Sequence, residues 1–244
     1  MWRRGQHRPL RVLEYTEHEP HEEPHEPPWD GVIPYPSPPE GAWDPSDEAV
    51  VWVNGRRVQL REGDLIYLRW NQFVPSSCIA AFNEGISHVG IVLRVDGHQF
   101  AFVDSCLYPP DLPYSNFVPN NRGERLRNGL HAQLLQHSFD GARHMWVHRP
   151  EPFSRAQLRA MRTLVRQRMN AHTADLRDDD YEAHWYSPEF LWACFNWKPY
   201  TKKRWMCSES IGHILQAAGR WPWSPSTKMS DLRRRVRGSV YQVF

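Results

Sequence analysis

Two residues with complementary chemistry stand far apart in this chain. Cys207, in Trp205-Met206-Cys207-Ser208-Glu209, opens a predicted helix, and His88 lies in the apolar strand Ser87-His88-Val89-Gly90-Ile91-Val92-Leu93. A thiol at a helix start meets unpaired backbone N–H groups and the positive end of the macrodipole, both of which favour a thiolate. An imidazole held on a rigid strand is a suitable group to take the thiol proton. Together they are the minimum equipment of a cysteine nucleophile with its base. The bland alternative is one buried cysteine and one unconnected core histidine. What decides between the two is the sequence around each residue.

The turn Arg61-Glu62-Gly63-Asp64 leads into a strand, Leu65-Ile66-Tyr67-Leu68-Arg69. After a variable loop come the His88 strand, the turn Val95-Asp96-Gly97-His98 and a third strand, Gln99 to Ser105. An Asp-Gly pair between β-rich flanks predicts a hairpin. Residues flanking that turn face one another, so Asp104 comes near His88 within a few residues of slippage. Phe100, Phe102 and Asp104 share one face by the two-residue period. A buried carboxylate on an aromatic face needs a partner, and an imidazole N–H supplies one. The alternative is an exposed strand-end aspartate. Gln99 and His98 compete for the third position, but both need a register shift that turns the two phenylalanines over.

Four short segments, Gly63-Asp64-Leu65-Ile66, Ser87 to Val92, Phe102-Val103-Asp104-Ser105 and Met206-Cys207-Ser208-Glu209, together resemble the NlpC-like branch of the papain-fold cysteine hydrolases. Their order, His88 then Asp104 then Cys207, is similar to the circularly permuted group that includes YiiX-like hydrolases and lecithin–retinol acyltransferase relatives. The resemblance covers roughly residues 58 to 235. It implies an α+β fold of permuted papain-like type, with an antiparallel sheet or small barrel packed on the nucleophile helix. It also implies that Cys207 is the nucleophile, His88 the general base and Asp104 the polar residue that orients the imidazole. No metal or organic cofactor is expected. The expected substrate is a peptide, amide or lipid-like molecule in a cleft, attacked at an amide, ester or thioester carbonyl, with acyl transfer as an outcome beside hydrolysis.

Composition sets the outer bounds. A chain of 244 residues, 40% hydrophobic and 13% aromatic, can build one sizeable core plus extensions. Its net charge of +2 gives no whole-chain argument for a polyanionic partner. No run is apolar enough to cross a membrane and no signal-peptide h-region follows the first residues, so the expectation is a cytoplasmic protein or one inside a viral particle. Cys78, Cys106, Cys194 and Cys207 lack the spacing of a zinc site or a disulfide framework, which fits a reducing compartment.

Residues 1–46 form a Pro/Glu/His-rich segment, read as an extended arm available to a protein partner, and residues 47–244 the hydrolase domain. His18, His21 and His25 in the arm, and Asp178-Asp179-Asp180 further on, invite metal readings. Neither has a rigid shell or ligand alternation, so a solvated linker and a structural turn are preferred. Val50 to Leu60 reads as a hairpin closed by Asn54-Gly55 and as plain extension of the sheet. Ser154 is a good N-cap for a helix with Leu158, Met161, Val165 and Met169 on its inner face. Its arginines (155, 159, 162, 166 and 168) read as a solvated face; without interleaved aromatics, nucleic acid is disfavoured. The last helix, from Cys207, should end at Gly219, and Arg233, Arg234, Arg235 and Arg237 read as a small basic tail. The competing function is a catalytically silent structural or binding module, such as a component of a viral particle.

Overall fold

A computed structural model describes residues 48–70, 80, 83–95, 99–107, 113–126, 128–139, 141–175, 207–222 and 227–244. Among them the chain runs through β1 (Glu48–Val53), β2 (Arg56–Arg61), β3 (Leu65–Trp70), β4 (His88–Arg94), β5 (Phe100–Leu107), β6 (Asn128–Leu134) and β7 (Ala142–Pro150). Helices α1 (Arg155–Asp175), α2 (Cys207–Ala217) and α3 (Met229–Arg235) follow, and β8 (Gly238–Gln242) comes last. Strands β3 to β8 make one antiparallel sheet in the order β6-β5-β4-β3-β7-β8. The architecture is α+β.

Strand alternation divides the apolar residues between the two faces of the sheet. Val89, Ile91 and Leu93 of β4 and Ala101 and Val103 of β5 join a buried core with Met161 and Val165 of α1 and Ile211, Ile214 and Leu215 of α2. Helix α1 begins with a reciprocal cap. Ser154 Oγ accepts from Gln157 N at 3.2 Å, and Gln157 Oε1 accepts from Ser154 N at 2.9 Å. Helix α2 ends as a Schellman turn. Gly219, at φ 67°, donates to Gln216 O, and Arg220 N donates to Leu215 O.

Three expectations need correcting. The β1–β2 hairpin is closed by Asn54 and Gly55 at φ 50° and 75°, as a type I′ turn requires, but it is its own two-stranded sheet. It buries Val51, Val53, Val58 and Leu60 by face and leaves Val50 and Trp52 exposed, so it docks through side chains and adds no strand to the main ladder. The arginines of α1 are not all solvated. Arg162 pairs with the buried Glu62 and Arg166 donates to Val95 O, which ties the helix to the sheet. The C-terminal arginines are not a tail. Arg233, Arg234 and Arg235 form the last turn of α3, where cations suit the carbonyl end, and the chain continues into β8 on the sheet edge.

Candidate active site

His88 is the first residue of β4, and its place is fixed from β3. Ser87 Oγ accepts from Trp70 N at 3.0 Å and donates to Leu68 O at 3.2 Å, while Ser87 N donates to Leu68 O at 2.9 Å. The Trp70 ring stacks on the imidazole at 4.8 Å between centroids, and Phe102 meets it edge-on at 6.3 Å. Gly90 makes room for that phenylalanine. A Cβ there would lie 2.4 Å from the Phe102 ring and 2.8 Å from Val103 O, so any larger residue would displace an aromatic wall of the site. The glycine in the His88 segment thus has a steric reason.

The ladder between β4 and β5 pairs Ile91 with Val103 and Val92 with Phe102. Continued by two residues, that register sets Asp104 diagonal to His88 on one face. Asp104 is fully buried, and its Oδ2 accepts from His88 Nε2 at 2.6 Å. Cys207, the first residue of α2, is a free thiol, partly buried against the helix-covered core. Helix α2 packs on β4 and β5, and this places the Cys207 thiol near enough to His88 to act on its charge. With Nε2 committed to Asp104, Nδ1 is the ring nitrogen left for the sulfur.

The electrostatics follow from these contacts. Burial works against a charged His88 ring, but the Cys207 charge, the ring's hydrogen bonding to Asp104 and Cys207, and the Asp104 charge outweigh it and push its pKa up to about 10. Burial likewise works against the Asp104 carboxylate. The charge and hydrogen bonding of His131 and of His88 reverse that and hold Asp104 well below the usual carboxylate range.

His131 is the residue that sequence reasoning missed. It lies directly opposite Asp104 in the β5–β6 ladder, fully buried, with Nε2 2.7 Å from Asp104 Oδ1. Its other nitrogen, Nδ1, is 2.9 Å from Gly129 O, and Phe117 packs edge-on against the ring at 5.2 Å. The only signal in the sequence was a histidine flanked by the apolar Leu130 and Ala132. Its pairing partner depends on a register set across a long loop.

Of the competitors for the third position, Gln99 is exposed and His98 lies outside the described residues. The histidines of the arm, Asp178 to Asp180, Cys78 and Cys194 also lie outside them. Among the described residues no group of three His, Cys, Asp or Glu side chains is arranged to hold a metal ion. The His88, Asp104 and His131 groups are engaged with one another. No described helix is long and apolar enough to cross a membrane.

An antiparallel α+β sheet carrying a Cys–His–Asp chain of contacts defines the molecule at this level. No family model and no curated protein matches the sequence. Among solved structures, the metalloprotein yiiX from Escherichia coli O157:H7 is a distant neighbour, 15% identical with a TM-score of 0.40. That alignment covers 64% of this chain and 65% of the neighbour.

Proposed function

We propose that the chain is a cysteine-dependent hydrolase of permuted papain-like type, forming an acyl-enzyme on Cys207. The observation that carries this reading is the 2.6 Å contact between His88 and the buried Asp104 carboxylate, with the Cys207 thiol at the start of the helix packed on the His88 strand.

The chemistry follows from the protonation states. A raised His88 pKa keeps the ring an imidazolium at neutral pH, the form that favours loss of a proton from a neighbouring thiol. The sulfur attacks a carbonyl carbon, and negative charge develops on its oxygen. The Cys207 backbone N–H, unpaired at the start of α2, is the donor best situated to receive it. His88 then gives its proton from Nδ1 to the leaving amine, alcohol or thiol, and the C–X bond breaks. Water loses a proton to the neutral ring as it attacks the acyl-enzyme, the C–S bond breaks with the electron pair returning to the Cys207 sulfur, and the acid product departs as carboxylate with its proton released to solvent. Throughout, Asp104 holds Nε2–H, fixes the ring and offsets its charge. An acceptor other than water would turn hydrolysis into acyl transfer by the same steps.

The test is competitive labelling of the intact protein with a limiting dose of iodoacetamide, mapped by mass spectrometry. Cys207 is expected to react before Cys78, Cys106 and Cys194, and His88→Ala to abolish that preference. Equal labelling of all four cysteines, unchanged by the His88 substitution, would favour the silent binding module instead.

A further inference from the structure

We propose that His131 is a positioning residue of this site, a fourth member that clamps the far oxygen of Asp104 and thereby sets how tightly His88 keeps its proton. The inference rests on reading Cys207 and His88 as nucleophile and base, and goes beyond it by adding a residue that touches neither the sulfur nor a substrate.

The geometry is specific. Asp104 uses one oxygen for each imidazole, Oδ2 for His88 at 2.6 Å and Oδ1 for His131 at 2.7 Å. Both partners are essentially excluded from water, His131 completely. Both nitrogens of His131 face oxygen acceptors, the Asp104 carboxylate and the Gly129 carbonyl. A carbonyl and a carboxylate only accept, so the ring satisfies both when it carries a proton on each nitrogen. Asp104 is thereby engaged through both oxygens, each facing a ring nitrogen in the buried interior.

The clamp has two consequences for His88. A carboxylate held at both oxygens cannot rotate, so the His88 ring plane is fixed between it and the stacked Trp70. A ring N–H on the far oxygen of Asp104 also weakens the carboxylate's pull on the His88 proton. The titratable groups acting on His88 are Cys207 and Asp104, and those acting on Asp104 are His131 and His88. Trp70, Phe102 and Phe117 pack on the rings and do not titrate in this range. Replacing the imidazole at Asp104 by a weaker donor must therefore tighten His88's hold on its proton. A purely structural His131 would not do this.

His131→Gln makes that change, since its side-chain amide can reach where Nε2 stood. The first measurement is an NMR titration of the His88 ring in the full chain, in a Cys207→Ser background that removes the thiolate and brings the midpoint into an accessible range. His131→Gln is expected to raise that midpoint by about one pH unit, since a weaker donor on the far oxygen leaves more of the carboxylate charge for His88. The second is the iodoacetamide labelling rate of Cys207. His131→Leu, which leaves Asp104 Oδ1 without a donor, is expected to lower it at least about tenfold, with His131→Gln recovering most of the loss. A His88 midpoint that stays put or falls in His131→Gln overturns the proposal, even if the variant melts at a lower temperature. Should His131→Leu fail to fold, the His131→Gln titration decides alone. Because that titration needs no reactive thiol, failure of the hydrolase reading shows separately, as a Cys207 in the unaltered chain that reacts no faster than the other cysteines.

Discussion

Two buried aspartates in this sheet make opposite use of a carboxylate. Asp64, at the start of β3, accepts from Arg149 Nε at 3.1 Å, from Arg149 Nη2 at 2.9 Å and from the backbone N of Arg61 at 2.8 Å. Its partners are a permanent cation and a peptide N–H, and neither can release a proton near neutral pH. Burial still raises the Asp64 pKa, with Arg149 offsetting it only in part. Asp104 is as deeply buried, but its partners are two imidazoles, the first of which leads on to a partly exposed thiol. Burial of a carboxylate therefore says nothing about its role. What matters is whether its partners can exchange protons and whether the chain of contacts reaches solvent. Asp64 is a clamp joining the turn before β3 to β7, whereas Asp104, on the proposed reading, belongs to a proton path.

The largest expected effect lies at the far end of that path. His88→Ala removes the base while leaving both aspartates in place, and should slow Cys207 alkylation at neutral pH by about 10²- to 10⁴-fold. The measurement is the labelling rate with circular dichroism confirming the fold. A rate within a factor of two of the unaltered chain would put Asp104 in the same structural class as Asp64.

Next comes a direct exchange between the two carboxylates. Asp104→Asn keeps the shape but loses the charge, and should lower the Cys207 labelling rate by about 100-fold or more, since the ring loses both its orientation and its counter-charge. Asp64→Asn should leave that rate unchanged and lower unfolding stability by about 1.5–3 kcal/mol, the usual worth of a hydrogen bond to a charged group. Urea unfolding and labelling on both variants give the two readouts. Parallel losses in both would erase the distinction.

The pairing of His88 with Asp104 was legible in the sequence, because a hairpin register runs outward from its Asp-Gly turn. Cys207 lies far along the chain, and no local rule joins it to them; only the family resemblance did. His131 is joined to Asp104 across residues 108–127, where no turn rule fixes the pairing. Strand β8 escaped because its residues are mostly exposed, so no alternation marks it. Arg162 and Arg166 looked solvated because a helix pattern cannot reveal that Glu62 and Val95 O would sit opposite.

Two imidazoles extend the comparison to pH. His148 is buried like His88, but lacks an anionic partner, and burial with the nearby Arg233 charge brings its pKa down to about 4. His88 is raised to about 10, and both start from 6.5. The stability contributed by His88 is complete below about pH 6.5 and is lost as pH rises through about 10. The contribution of a neutral His148 is present above about 6.5 and is lost as pH falls toward about 4. Urea midpoints measured from pH 4 to 10 should flatten on the alkaline side in Cys207→Ser, which removes the strongest influence raising His88, and on the acid side in His148→Leu. An alkaline limb untouched by Cys207→Ser would mean that the thiol and His88 do not share charge.

The smallest expected effect tests the clamp alone. Arg149 offers Asp64 a fork through Nε and Nη2, and Nη2 also reaches Gln59 O at 3.0 Å, holding β2 to β7. Arg149→Lys keeps the charge but replaces the fork by a single ammonium that cannot span both oxygens and the carbonyl. The Coulombic part of the pairing survives, so the loss should be about 1 kcal/mol, a drop in Tm of about 2–4 °C for a domain of this size. Cys207 labelling should not change, because the residues of the clamp do not touch His88. A labelling rate that falls with Arg149→Lys would show that the first turn of β3 and the start of β4 move together, and that the clamp positions the site through the β3–β4 ladder.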